Sequence, residues 1–265
     1  MLSGEGRLVV LTVVGLAVVS VCGALIATLV DDVSERDGVT LADRRVLDWV
    51  LEHRTSAWTT VFRTVTHLGD PLVVVALTAV VSITLVVARK FHLGVFMVLA
   101  TSGAAVASSV TKQAIDRGRP PTALWLGHAW GPSFPSGHAT QSVACYGAIA
   151  IIGVVLIRST AWRALLFVSA ASIALMVGTS RIYLAVHWCS DVVCGWAIGL
   201  LWLATLVLAG WATPRLRTVW RGRLTPPGQE SSPHSVETAA LPNSGPVSGS
   251  SPRNGNGIRG KGPMT

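Results

Sequence analysis

From Leu8 to Val30 the sequence runs for 23 residues without one charged side chain. A helix rises about 1.5 Å per residue, so such a run reaches across the roughly 30 Å of bilayer hydrocarbon. No other feature restricts the fold as strongly, because a backbone in lipid must satisfy its own hydrogen bonds. Six long, mainly apolar runs occur, at about Leu8–Val30, Leu68–Ala88, Leu93–Thr111, His138–Ile157, Trp162–Thr179 and His187–Trp211. Composition agrees: 51% of residues are apolar and 13% charged, against about 25% charged in a soluble domain. The expected fold is all-α, an integral membrane bundle of six transmembrane helices.

The first run is longer than the apolar core of a cleaved signal peptide, and "LIATLVDDV" offers no small-residue cleavage site. It is read as an uncleaved anchor. Arg7, the pair Arg89 and Lys90, Arg158 with Arg163, and Arg215, Arg217, Arg221 and Arg223 all fall on one side of the six-span arrangement. The positive-inside rule makes that side cytoplasmic, with both termini, and the other extracytoplasmic.

Between the first and second runs, Leu47, Val50, Leu51, Trp58, Val61 and Phe62 recur at helical spacing with charges between them. That pattern predicts an interfacial helix walling one side of a lipid-accessible cleft. Beyond Thr213 the chain turns to Pro, Ser, Gly and Asn and cannot bury enough surface to offset its ordering entropy. The expected division is a membrane domain over 1–213 and a disordered, basic cytoplasmic tail over 214–265. Seven bases against two acids in that tail supply +5 of the net charge of +8. Attraction to anionic membrane lipids accounts for the pI of about 10.2, and no nucleic-acid partner is implied.

Four cysteines, two of them within apolar runs and two near the start of the sixth, define neither a disulfide framework nor a zinc site. Ala100, Ala104 and Ser108, with Gly103 and Ala107 beside them, let helix backbones approach closely, which predicts a central position for the third span.

The outer ends of spans three to six collect the ionisable residues. Lys112 ends the third, followed by Arg119 and Pro120; Ser136, Gly137 and His138 open the fourth; Arg181 ends the fifth; His187 and Asp191 open the sixth. Topology brings all of these to one membrane face. Three fixed cations match the oxygens of a phosphate, and a helix start at Ser136 and Gly137 adds backbone N–H donors. His187 and Asp191, four apart, share a helical face, so the carboxylate can hold one ring nitrogen protonated and leave the other as a nucleophile. His138 is then available to protonate a leaving oxygen. His53, His67, His92 and His128 are read as interface residues. One histidine at a helix end is unremarkable, but two histidines, a carboxylate and three cations at one face have no inexpensive structural explanation.

"KQAIDRGRP", "PSGH" and "SRIYLAVHWCSD" resemble the three signature motifs of the type 2 phosphatidic acid phosphatase (PAP2) superfamily, which includes the soluble vanadium haloperoxidases. The resemblance covers about Thr66 to Leu208 and departs at no signature position. It implies a lipid phosphatase of a bacterial-type plasma membrane, with an extracytoplasmic site and no metal or other cofactor. In that mechanism His187 attacks phosphorus in line, oriented by Asp191, while His138 protonates the leaving oxygen and later activates water to hydrolyse the phosphohistidine. Lys112, Arg119, Ser136, Gly137 and Arg181 would bind the phosphoryl oxygens.

The resemblance implies a lipid phosphate as substrate: first a polyprenyl diphosphate such as the undecaprenyl carrier of cell-wall synthesis, alternatively phosphatidate or phosphatidylglycerol phosphate. A phosphotransferase would share every catalytic residue. Halide oxidation is disfavoured by the six-span body, and a non-catalytic lipid-binding or transport protein by the presence of both histidines with Asp191. The oligomeric state is left open.

Overall fold

The computed structural model describes residues 4–35 and 38–212. The expected tail over 214–265 lies outside them. Among the described residues the elements are α1 (Gly4–Glu35), α2 (Gly38–Glu52), α3 (Ser56–Thr66), α4 (Pro71–Val87), α5 (Phe91–Ile115), α6 (Gly137–Leu156), α7 (Thr160–Tyr183) and α8 (Cys189–Ala212), with single 3₁₀ turns at His67–Gly69 and Thr122–Leu124. The all-α membrane bundle is as expected.

Five helices, α1 and α5 to α8, are each long and apolar enough to cross a membrane. The sixth candidate is bent: α4 has 17 residues and meets α3 and its 3₁₀ turn at 48°. Pro71 at the first position of α4 explains the break, since proline opens a helix readily and cannot sit inside one.

The interfacial segment differs from expectation. In place of one helix there are two, α2 and α3, parted at His53–Thr55. Thr55 is extended (φ −130°, ψ 158°) and its hydroxyl accepts from the Trp58 N–H at 3.3 Å, so a new helix starts there. Leu47 and Val50 are buried, whereas Trp49 and Trp58 are more than half exposed. Phe62 packs on the Tyr183 ring at 4.6 Å between centroids, tying α3 to the end of α7.

The bundle is also centred differently. Ala100, Ala104 and Ser108 are buried as the small-residue stripe requires, but α6 has twelve buried residues against seven in α5. It packs against α4, α5, α7 and α8. The reason is its many small side chains and those facing it. A Cβ at Gly195 of α8 would lie 2.6 Å from the Ser136 carbonyl oxygen, so only glycine lets the start of α8 come this near the start of α6. In lipid, where hydrocarbon surrounds the protein on all sides, close packing of this kind rather than apolar burial holds helices together. α1 rests on α8 and leaves Val9, Val13 and Val21 at least 60% exposed.

Short links at Ala88–Lys90 and Ile157–Ser159 close one end of the bundle. The opposite end gathers the starts of α4, α6 and α8 and the ends of α5 and α7.

Candidate active site

The eight residues singled out from the sequence meet at that gathered end. Lys112, Arg119, Gly137, His138, Arg181 and His187 line a cavity of about 670 Å³. Ser136 and Asp191 stand behind its wall, each 0% exposed.

His187 does not open the last helix as expected. It sits in the turn two residues before α8, yet its pairing with Asp191 survives, with Nδ1 at 3.2 Å from Oδ2. Asp191 makes this possible by also accepting from the Trp188 N–H at 2.8 Å, which folds the turn back over the helix start. Arg119 donates through Nη1 to Nε2 of His187 at 3.1 Å. A guanidinium can only donate and a carboxylate only accept, so the tautomer follows: the proton is on Nδ1 and the lone pair on Nε2. Burial holds the His187 ring well below its ordinary pKa against the opposing pull of Asp191, which keeps the ring neutral. Burial lowers the Arg119 guanidinium too, without approaching loss of its charge.

The cations are arranged around the same space. Lys112 donates to the Pro132 carbonyl at 2.7 Å. Arg119 donates to the carbonyls of Gly131, Val186, Trp130 and Pro132 at 2.6 to 3.1 Å, fastening the loop before α6 to the turn before α8. Arg181 is 3% exposed and donates to Thr66 Oγ1 and the His128 carbonyl. Its Nε and the Ser136 hydroxyl are buried with no partner. Unsatisfied buried donors are expensive, and Arg181, which lines the cavity, could satisfy its Nε on an oxyanion held there.

Several participants escaped the sequence reading. Asp70, at the start of α4, binds His138 Nε2 through Oδ1 at 2.9 Å and His67 Nδ1 through Oδ2 at 2.7 Å. Arg117 donates to Asp191 Oδ1 at 2.6 Å and to Asp43 Oδ2 at 2.7 Å. Asp43, on α2 and 2% exposed, accepts from the Ser190 N–H at 2.8 Å and so caps α8 from another helix. The Ser133 hydroxyl closes on Asp191 Oδ2. His67 and His128, read as interface residues, line the cavity, as does Arg63.

A sealed histidine–carboxylate pair whose Nε2 lone pair is turned to Arg119, with further cations lining the same cavity, is an arrangement suited to phosphoryl transfer. Residues 91–215 match the PAP2 superfamily. A phosphatidylglycerophosphatase B of Bacillus subtilis is 34% identical over 141 residues, 52% of this chain and 68% of that one. An undecaprenyl-diphosphatase of Sulfolobus acidocaldarius is 31% identical over 132 residues, 48% of this chain and 59% of that one. The crystal structure of a transmembrane PAP2-type phosphatidylglycerolphosphate phosphatase from Bacillus subtilis superposes with a TM-score of 0.65 at 27% identity, covering 75% of this chain and 95% of that one. Aquifex aeolicus LpxE shares the fold at a TM-score of 0.50 and 22% identity, over 62% of this chain and 93% of that one. The chain belongs to the PAP2 superfamily and is a membrane lipid phosphatase.

Proposed function

We propose that the protein releases phosphate from a lipid phosphate through a phosphohistidine on His187. The observation that carries this reading is the pairing that fixes the tautomer: Asp191 accepts a hydrogen bond from the Nδ1–H of His187, and Arg119 marks the Nε2 lone pair from the side where cations would hold a phosphate. Nε2 attacks phosphorus in line, and His138 donates a proton to the leaving oxygen. His138 then takes a proton from water as that water cleaves the phosphorus–nitrogen bond. Lys112, Arg119, Arg181, Ser136 and the N–H of Gly137 stabilise the charge on the equatorial oxygens.

A lipid substrate is supported by a second groove of about 570 Å³ between α4 and α5, lined by Val74, Val75, Ala79 and Val98. It shares Pro71, Lys112, Gly137 and His138 with the catalytic cavity, so hydrocarbon can lie in it while the phosphate sits among the cations. Polyprenyl diphosphate is the first substrate to test. Phosphatidylglycerol phosphate is the second, favoured by the Bacillus relative and its solved counterpart. The basic links Arg89–Lys90 and Arg158–Arg163 lie at the end away from the cavity, which supports an extracytoplasmic site.

The test is phosphate release by the purified protein from polyprenyl diphosphate, phosphatidate and phosphatidylglycerol phosphate, with and without chelator. His187→Ala is expected to lower turnover on each by at least about 1,000-fold. Turnover surviving in that variant overturns the nucleophile, and its loss in chelator overturns a metal-free mechanism.

A further inference from the structure

Asp70 is the one carboxylate among the described residues that line the catalytic cavity, where it faces Arg63, Lys112, Arg119 and Arg181. A negative charge in a phosphate-binding space repels the substrate. Its presence requires an offsetting role.

Its hydrogen bonds indicate what that role is. Asp70 occupies the N-cap position of α4, where an aspartate ordinarily accepts from its own helix's first turn. Here it makes no such bond, because both oxygens are taken by imidazoles. Oδ1 binds Nε2 of His138 at 2.9 Å and Oδ2 binds Nδ1 of His67 at 2.7 Å. The preceding residue is fitted to this contact. A Cβ on Gly69 would lie 3.1 Å from Cδ2 of His138 and 2.5 Å from a Val177 methyl, so any larger residue would push the turn off the ring. The alternative use of such a trio, as metal ligands, is not supported. Among the described residues no group of three or more His, Cys, Asp or Glu is arranged to hold a metal ion.

Resting on the reading of His138 as the proton donor, we infer that Asp70 is a positioning residue that aims His138 and favours its protonated form, with His67 holding the second carboxylate oxygen in place. With Nε2–H bound to Asp70, the proton for the leaving oxygen comes from Nδ1. As the bond from phosphorus to the leaving oxygen breaks and the bond to His187 forms, that proton moves to the departing oxygen, and neutral His138 keeps its Nε2 proton on Asp70. When water attacks the phosphohistidine, its proton returns to Nδ1 and the imidazolium is restored. Burial and the charges of Arg181 and Arg119 act against a positive ring at this point, and Asp70 opposes them.

The consequence depends on the leaving group. An alkoxide, with a conjugate acid near that of water at about 16, needs the proton; a departing phosphate, with a pKa of about 6, scarcely does. Asp70→Asn, isosteric and uncharged, is therefore expected to lower kcat on phosphatidate by about 100-fold, with a loss below about five-fold on polyprenyl diphosphate. Removal of the negative charge is expected to leave inhibition by inorganic phosphate unchanged or to tighten it. Retained diphosphate turnover shows that the variant is folded. Equal losses on both substrates with weakened phosphate inhibition would mean that Asp70 is merely structural, and full activity on phosphatidate would overturn the inference outright. His138→Ala separates the two levels. If it loses phosphatidate turnover while Asp70→Asn keeps it, the pairing fails and the proton donor stands; if it keeps that turnover, the proton-donor reading fails and the inference with it.

Discussion

Two histidine–carboxylate pairs meet at the cavity, and they are built in opposite ways. The side chains of His187 and Asp191 are 3% and 0% exposed, and those of His138 and Asp70 are 18% and 35% exposed. Asp191 is gripped by Arg117, Ser133 and the Trp188 N–H as well as by His187, and Arg117 is anchored in turn by Asp43 on α2. Asp70 holds two rings and nothing else that fixes it from behind. The proposed nucleophile must stay neutral and point one way, which a dry and over-determined setting provides. The proposed proton donor must meet a leaving group and then a water, which requires an open one.

Asp191→Asn should break the sealed pair most severely. Both its oxygens accept, so an amide must turn its NH₂ either toward Arg117 or toward Ser133, Trp188 N and His187. An NH₂ turned toward His187 forces its proton onto Nε2, with turnover falling by about 10,000-fold, as for the orienting carboxylate of a hydrolase triad. Unfolding in detergent should become easier by roughly 3 kcal/mol, because a buried charge loses its partner. Asp70→Asn, at a partly exposed pair, should shift it by less than about 1 kcal/mol. Similar shifts for the two variants would erase the distinction between sealed and open.

Arg117 supplies the next step down. One guanidinium nitrogen reaches Asp191 and another reaches Asp43, a fork that a single ammonium cannot reproduce. Arg117→Lys should lower turnover by about 10- to 100-fold, with phosphate inhibition unaltered, since Arg117 does not line the cavity. A lysine that restores wild-type turnover would mean that only the charge matters.

Much of the site was legible because adjacent spans run in opposite directions. Lys112, Arg181, His138 and Asp191 are far apart in sequence, yet each lies at a span end, and span ends of one parity share a membrane face. What the sequence concealed depends on contacts with no local period. Asp43 and Arg117 are 74 residues apart and read as two among several loop charges. Asp70 before Pro71 reads as an ordinary helix cap, and only the bend between α3 and α4 turns it onto His138. The break between α2 and α3 did have a local signal in Thr55 and Ser56, which was outweighed by an apolar period continuing across it. The central place of α6 over α5 was hidden because small residues on both helices look alike until the glycines of α8 select one.

The smallest effect belongs to His67. It is 69% exposed as a side chain, and its bond to Asp70 is short at 2.7 Å. Exposed pairs contribute at most about 1 kcal/mol, so His67→Ala should leave folding untouched and lower phosphatidate turnover by about two- to five-fold. The loss should vanish on polyprenyl diphosphate, following the leaving-group pattern of Asp70→Asn, because His67 acts only by steadying the carboxylate that steadies His138. Combined with Asp70→Asn it should add nothing, since the contact it serves is already gone. A multiplicative loss in the double variant, measured as phosphate release from phosphatidate, would give His67 a separate contact with the substrate in the cavity that it lines.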